Sequence, residues 1–109
     1  MKSRINYGQV LENTIYIYSR SLDYSVSVGR IGKLECDFIL RSQDNTYSYI
    51  QAAYTIMLSE ENENREYKPL ESIRDNYRKY VATTDYSLQK RNGIDHINIM
   101  DFMIAENCF

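Results

Sequence analysis

Residues 24–54 read YSVSVGRIGKLECDFILRSQDNTYSYIQAAY, and three alternating stretches within them decide the fold. In residues 24–29, Tyr24, Val26 and Val28 alternate with Ser25 and Ser27, the period of a half-buried strand. Gly29-Arg-Ile-Gly32-Lys33 follows as a turn. It fails as a phosphate loop, which needs four residues between its glycines and a Ser or Thr after the Lys. Two residues stand between the glycines here and Leu34 follows the lysine, so nucleotide binding by this segment is rejected. Residues 33–41 form the next predicted strand, with Leu34, Cys36, Phe38 and Leu40 on one face and Glu35, Asp37 and Ile39 on the other. Ser42-Gln-Asp-Asn45 is a hairpin turn. Residues 46–54 form a third strand, with Tyr49, Gln51 and Ala53 on one face and Ile50, Ala52 and Tyr54 on the other. Short connections make the three an antiparallel meander.

Working outward, residues 5–21 read as a helix. Leu11, Ile15, Tyr18 and Leu22 recur at helical spacing, Asn6 is placed to cap it, and Glu12 lies at the margin of the apolar stripe. After the meander, Ser59 caps a helix that opens with Glu60, Glu61 and Glu63 at its positive end. Pro69 is expected to break or kink that helix and open a second helical piece through Asn76. Residues 79–83 read as a strand, a polar loop runs through Asn92-Gly93, and residues 94–99 form a last strand with Ile97 and Ile99 facing alike. Met100 to Ala105 closes as a helical turn or two. The fourth strand returns after the helix and pairs parallel to an inner strand, giving an α/β fold: a mixed sheet flanked by helices.

Composition bounds the function. At 109 residues the chain suits a single domain, 1–109. A net charge of −2 is not the balance of a free-standing nucleic-acid binder. Arg65, Lys68, Arg74, Arg78 and Lys79 crowd one stretch, but Glu60, Glu61, Glu63 and Glu66 lie beside them, as on a solvated mixed-charge face. Cys36 and Cys108 are the only cysteines and, with one histidine, make neither a disulfide scaffold nor a zinc site. No apolar run reaches the length of a membrane span or a signal peptide, so no membrane partner and a cytoplasmic home are expected. Eleven of the fourteen aromatics are tyrosine, a residue suited to the edge of a core. Tyr47, Tyr49, Tyr67, Tyr77 and Tyr80 are open to two readings, core-edge packing and stacking on a base or partner.

Glu12 on the first helix, Asp37 on the second strand and Gln51 on the third have the layout of a hard-cation site. Mg²⁺ takes oxygen ligands, commonly one or two carboxylates with waters and a substrate phosphate. The same residues are equally readable as a solvent-facing helix acid and an exposed sheet face. Here the sequence resembles a known family. Leu11-Glu12-Asn13, Tyr24 to Gly32, Glu35-Cys-Asp37-Phe38 and Tyr49-Ile-Gln51-Ala-Ala-Tyr54 are similar to the C-terminal domain of prokaryotic AAA+-type ATPases. So are Glu71-Ser-Ile-Arg-Asp75-Asn76-Tyr77-Arg-Lys-Tyr80-Val81 and Gly93-Ile-Asp-His96-Ile-Asn98-Ile-Met-Asp101-Phe102. That domain is in turn similar to the PD-(D/E)XK nuclease superfamily. The resemblance runs from Tyr7 to Phe102 and implies a PD-(D/E)XK nuclease-like αβββαβ core.

By position, the resemblance implies that Glu12 is the first-helix acid and Asp37 the metal-binding aspartate, with Gln51 and Ala53 where the (D/E)-X-K pair would stand. Glu12, Asp37 and Gln51 are then the candidate metal ligands, with Mg²⁺ the candidate ion, and Tyr54 completes the candidate pocket. Ala53 has neither charge nor donor, and losing such an electrostatic group commonly costs about 10²–10³ in rate. Strand alternation puts Ala53 on the face of Gln51, looking into the pocket.

The resemblance therefore implies a catalytically silent nuclease-like accessory domain. Its N-terminal ATPase module lies outside this chain, and its candidate partners are DNA and protein. Two alternatives stand beside it. One is an active Mg²⁺-dependent endonuclease that recruits Lys33 or Lys79. The other is a plain interaction domain forming a homo-oligomer through its tyrosines.

Overall fold

The computed structural model describes residues 7–31 and 34–109. Asn6, Gly32 and Lys33, and the side chain of Glu35, lie outside what is described. The chain runs α1 (Tyr7–Ser21), β1 (Ser25–Ile31), β2 (Leu34–Arg41), β3 (Tyr47–Ala52), α2 (Glu60–Glu71), β4 (Arg78–Thr83), β5 (Lys90–Arg91), β6 (Ile94–Asn98) and α3 (Ile99–Ile104). One six-stranded sheet has the order β1-β2-β3-β4-β6-β5. The first three strands form the expected antiparallel meander, β4 lies parallel to β3, and β6 parallel to β4. The fold is thus the mixed α/β sheet with flanking helices that the alternation and helical spacing indicate.

The two faces of the sheet are covered by different helices. Leu11 and Ile15 of α1 and Ile99 and Phe102 of α3 pack with Phe38, Leu40, Ile50, Tyr80 and Ala82. Tyr67 and Leu70 of α2 pack on the other face with Cys36, Val81 and Ile94. The strict alternation of Tyr80, Val81 and Ala82 in β4 is what reaches both layers. Buried side chains of this size each contribute roughly 1.5–3 kcal/mol relative to exposure. Tyr67 and Tyr80 are almost fully buried, so for these two the core-edge reading holds over the stacking one.

Several boundaries differ from the sequence expectation; β3, expected to run to Tyr54, ends at Ala52. Gly29, Arg30 and Ile31 continue β1 instead of turning. Pro69 does not start a second helical piece. It lies buried in the last turn of α2, two residues before the helix ends. The chain then leaves the helical path, and the Asp75 carboxylate accepts the Tyr77 amide at 2.9 Å and Lys79 Nζ at 3.0 Å to steer it into β4. The loop before β6 contains the two-residue strand β5, closed by Asn92 and Gly93 at φ 53° and 78°. Both central residues in the left-handed region make this a two-residue hairpin turn, the use to which Asn-Gly is suited. Finally, the last strand stops at Asn98, whose side chain accepts the Asp101 amide at 3.1 Å and caps α3.

Candidate functional site

The decisive local feature is an irregularity in β2. From Ser27 to Gly29 the chain of β1 advances two residues, while the facing stretch of β2 runs three, from Ile39 to Cys36. The extra residue is a bulge beside Asp37, and it shifts the phase of the strand. Cys36 faces the α2 layer, whereas Phe38 and Leu40 face the α1 layer. The expected shared face of Cys36, Phe38 and Leu40 is therefore corrected. A Cβ at Gly29 would lie 2.0 Å from Ile39 Cδ1, so any larger residue opposite the bulge would require the Ile39 side chain to move.

At the same point β2 and β3 part. Their ladder ends at Phe38 and Ile50. Beyond it the backbone groups are met by side chains. The Asp37 amide donates to Gln51 Oε1 at 2.7 Å, and the Ala52 amide donates to Asp37 Oδ2 at 2.8 Å. Two reciprocal bonds thus bridge the fork, and each satisfies an amide that would otherwise lack its ladder partner. Gln51 is buried.

The fork opens into a cavity of about 440 Å³. The sequence-predicted Glu12, Asp37 and Gln51 all line it, brought together from α1, β2 and β3. Arg65, Glu66 and Lys68 of α2 close the other side. Burial, with the nearby Asp37 carboxylate, raises the Glu12 carboxyl above its usual range. Burial, with Asp37 and then Glu12 nearby, pushes the Glu66 carboxyl up to about 7, against the opposing pull of Arg65. Glu66 lines the cavity but is not among the residues the sequence reading singles out for the site. It sits in a run of mixed charge that looks like an ordinary solvated face, and only the packing of α2 over the fork turns it inward. A larger cavity of about 730 Å³ lies by the start of β3, between Tyr24, Tyr47 and Arg78. Asp23 and Asp44 line it, but none of Glu12, Asp37 and Gln51 does, so the smaller cavity is the candidate site.

The remaining candidates are placed differently. Ala53 keeps to the α2 side of the sheet, but it packs against the apolar cluster of Ile56, Tyr67 and Leu70 and does not line the cavity. The position expected to look into the pocket thus lies, half-buried, against the apolar cluster beneath α2. Tyr54 also lies outside the cavity; its ring meets that of Tyr7 at 5.1 Å. Lys79 is not a substitute lysine, since its Nζ is bound to Asp75 at 3.0 Å and sits over the Tyr49 ring. The lysine that lines the cavity is Lys68. His96 is buried, with Nε2 2.7 Å from Thr83 Oγ1 and 3.6 Å from the Asp85 carboxylate, and burial lowers its pKa.

The oxygen donors suit Mg²⁺ in kind but not in arrangement. Asp37 Oδ2 and Gln51 Oε1 are already engaged by backbone amides. Among the described residues no three His, Cys, Asp or Glu side chains are grouped to hold a metal ion. A cation bound here would have to share these two oxygens with the backbone amides they accept. Among the described residues, no helix is long and apolar enough to cross a membrane.

No protein-family model matches the chain, and no solved structure matches it. A protein of Haemophilus influenzae (strain ATCC 51907 / DSM 11121 / KW20 / Rd), described as an uncharacterized protein, is 36% identical to it over 104 residues. The match takes in 94% of this chain and 25% of the relative, so the chain spans about a quarter of that protein's length.

Proposed function

We propose that this chain is a PD-(D/E)XK nuclease-like accessory domain, of the kind appended to AAA+-type ATPases, that binds DNA at the β2–β3 fork without cutting it. The observation that carries the reading is the fork cavity itself. Glu12, Asp37 and Gln51 line one cavity there, while Ala53, at the position the resemblance gives to the lysine, packs against the apolar cluster beneath α2 and does not line it. The order helix, three strands, helix, strand supports the expected αβββαβ core. Arg65 and Lys68 supply cations at the rim for a phosphodiester backbone. The relative's further length leaves room for a separate module such as an ATPase.

The test uses the purified chain with linear, plasmid and branched DNA, with and without Mg²⁺ or Mn²⁺. The expected result is salt-dependent binding that weakens when Arg65 and Lys68 are changed to Ala, with no cleavage. Cleavage that disappears in both Asp37→Ala and Lys68→Ala would replace this reading with that of an active metal-dependent nuclease using Lys68. Absence of binding to any DNA would overturn it in favour of a protein-interaction domain.

A further inference from the structure

Tyr7 and Tyr54 form an aromatic pair that the core does not use. Their ring centroids lie 5.1 Å apart with planes at 36°, and the residues remain 54% and 49% exposed. Neither belongs to either apolar cluster. Tyr7 opens α1, which supplies Glu12, and Tyr54 follows β3, which supplies Gln51. Tyr7 lies five residues before Glu12 on α1, roughly 7–8 Å along a helix at 1.5 Å per residue. Tyr54 lies three residues beyond Gln51, past the end of β3, so the chain allows at most roughly 11 Å between them. The backbone holds this edge in place, because Tyr54 O accepts the Thr84 amide at 3.0 Å and Thr84 Oγ1 at 2.7 Å.

Resting on the DNA-binding reading above, we infer that Tyr7 and Tyr54 are a stacking platform for an unpaired base, so that the ligand of the fork is DNA with a single-stranded segment. A strand whose phosphate meets Arg65 or Lys68 places its neighbouring base within reach of the two rings. A base inside a duplex has no free face to offer them. Stacking on tyrosine does not depend on which base is present, so the platform selects strand state and not sequence. Apolar Met57 and Leu58 stand exposed close by in the chain and extend the surface available to a base or sugar.

The experiment measures fluorescence anisotropy of a labelled oligo-dT and of a duplex of equal length, at low salt, with the full chain. The wild type binds the single strand more tightly than the duplex. Tyr54→Ala and Tyr7→Ala each weaken single-strand binding at least fivefold and leave duplex binding unchanged, while Tyr54→Trp, which keeps a ring, retains it. Both tyrosines are half exposed, and circular dichroism checks that each variant is folded. Equal affinity for both forms of DNA, or no effect of either Ala variant, overturns the platform. If in that case Arg65→Ala still weakens both forms alike, the fork reading stands alone. If the wild type binds neither form, both readings fall.

Discussion

The raised Glu66 carboxyl makes a specific demand on stability. Its pKa moves from an ordinary 4.5 to about 7, mainly through burial and secondarily through Asp37 and Glu12. A carboxyl whose folded pKa lies above its unfolded one stabilises the fold fully below the unfolded value. That contribution is lost as the pH rises through the folded value. Between pH 5.5 and 8.5 the full linkage amounts to about 2 kcal/mol, since each pKa unit corresponds to roughly 1.4 kcal/mol. The side chain is only partly buried at the cavity mouth, and solvent screening reduces the expected loss to about 1 kcal/mol. Glu66→Gln keeps the shape and hydrogen-bonding capacity but removes the titration. Urea unfolding followed by circular dichroism, at several pH values across that interval, compares the two proteins; groups common to both cancel in the difference. The wild type should lose about 1 kcal/mol relative to Glu66→Gln on going from pH 5.5 to 8.5, and Asp37→Asn should remove part of that loss. Parallel curves for wild type and Glu66→Gln would show that α2 does not hold Glu66 against the fork, and the described cavity would be wrong.

Gln51→Ala leaves the Asp37 amide without its 2.7 Å acceptor and should cost about 1–3 kcal/mol. Hydrogen exchange should show the Asp37 amide losing protection while the Ala52 amide, held by Asp37, keeps more of its own. His96 is the single histidine, so its ring resonances in an NMR titration are unambiguous, and their midpoint should lie below the usual 6.5 because burial disfavours the cation. Its contribution has the opposite sign to that of Glu66: present above pH 6.5 and lost as the pH falls below it. Arg91 fastens β5 to α2 through Glu71 at 3.2 Å, Asn64 at 2.7 Å and the Tyr67 ring at 4.9 Å. Arg91→Ala should lower the denaturation free energy by about 1–2 kcal/mol, and Arg91→Lys should recover less than half, because an ammonium cannot span all three partners.

Most of the sheet is written in local pattern. The alternation of Tyr49 and Gln51 against Ile50, the Ser59 cap and the spacing of Leu11 and Ile15 survive folding, because period and capping are properties of neighbouring residues, whereas Val28, expected inward with Tyr24 and Val26, is 79% exposed. What escapes is what depends on contact between elements. The bulge at Asp37 is a difference in length between two paired strands, and β2 alone carries no trace of it. Lys90-Arg91 has no strand signature, although Asn92-Gly93 beside it announces a hairpin. Glu12, Asp37 and Gln51 could be assembled from strand and helix placement, as the cavity shows. Ala53 was assigned the right side of the sheet, but which layer meets that side is decided by where α2 lies. For the same reason Glu66 and Lys68 look like surface charge until α2 is laid across the fork.

The reciprocal bonds between Asp37 and the β3 backbone also bear on how such a domain changes over time. A side chain that serves only chemistry drifts once the chemistry is no longer needed. Asp37 and Gln51 have a second employment, since removing either leaves a strand amide stranded in the interior. Architecture alone is enough to keep them, whatever becomes of activity. Ala53 carries no such obligation to a strand partner through its side chain. An acid in this pocket is thus accounted for by the architecture of the fork, and is by itself no sign of chemistry.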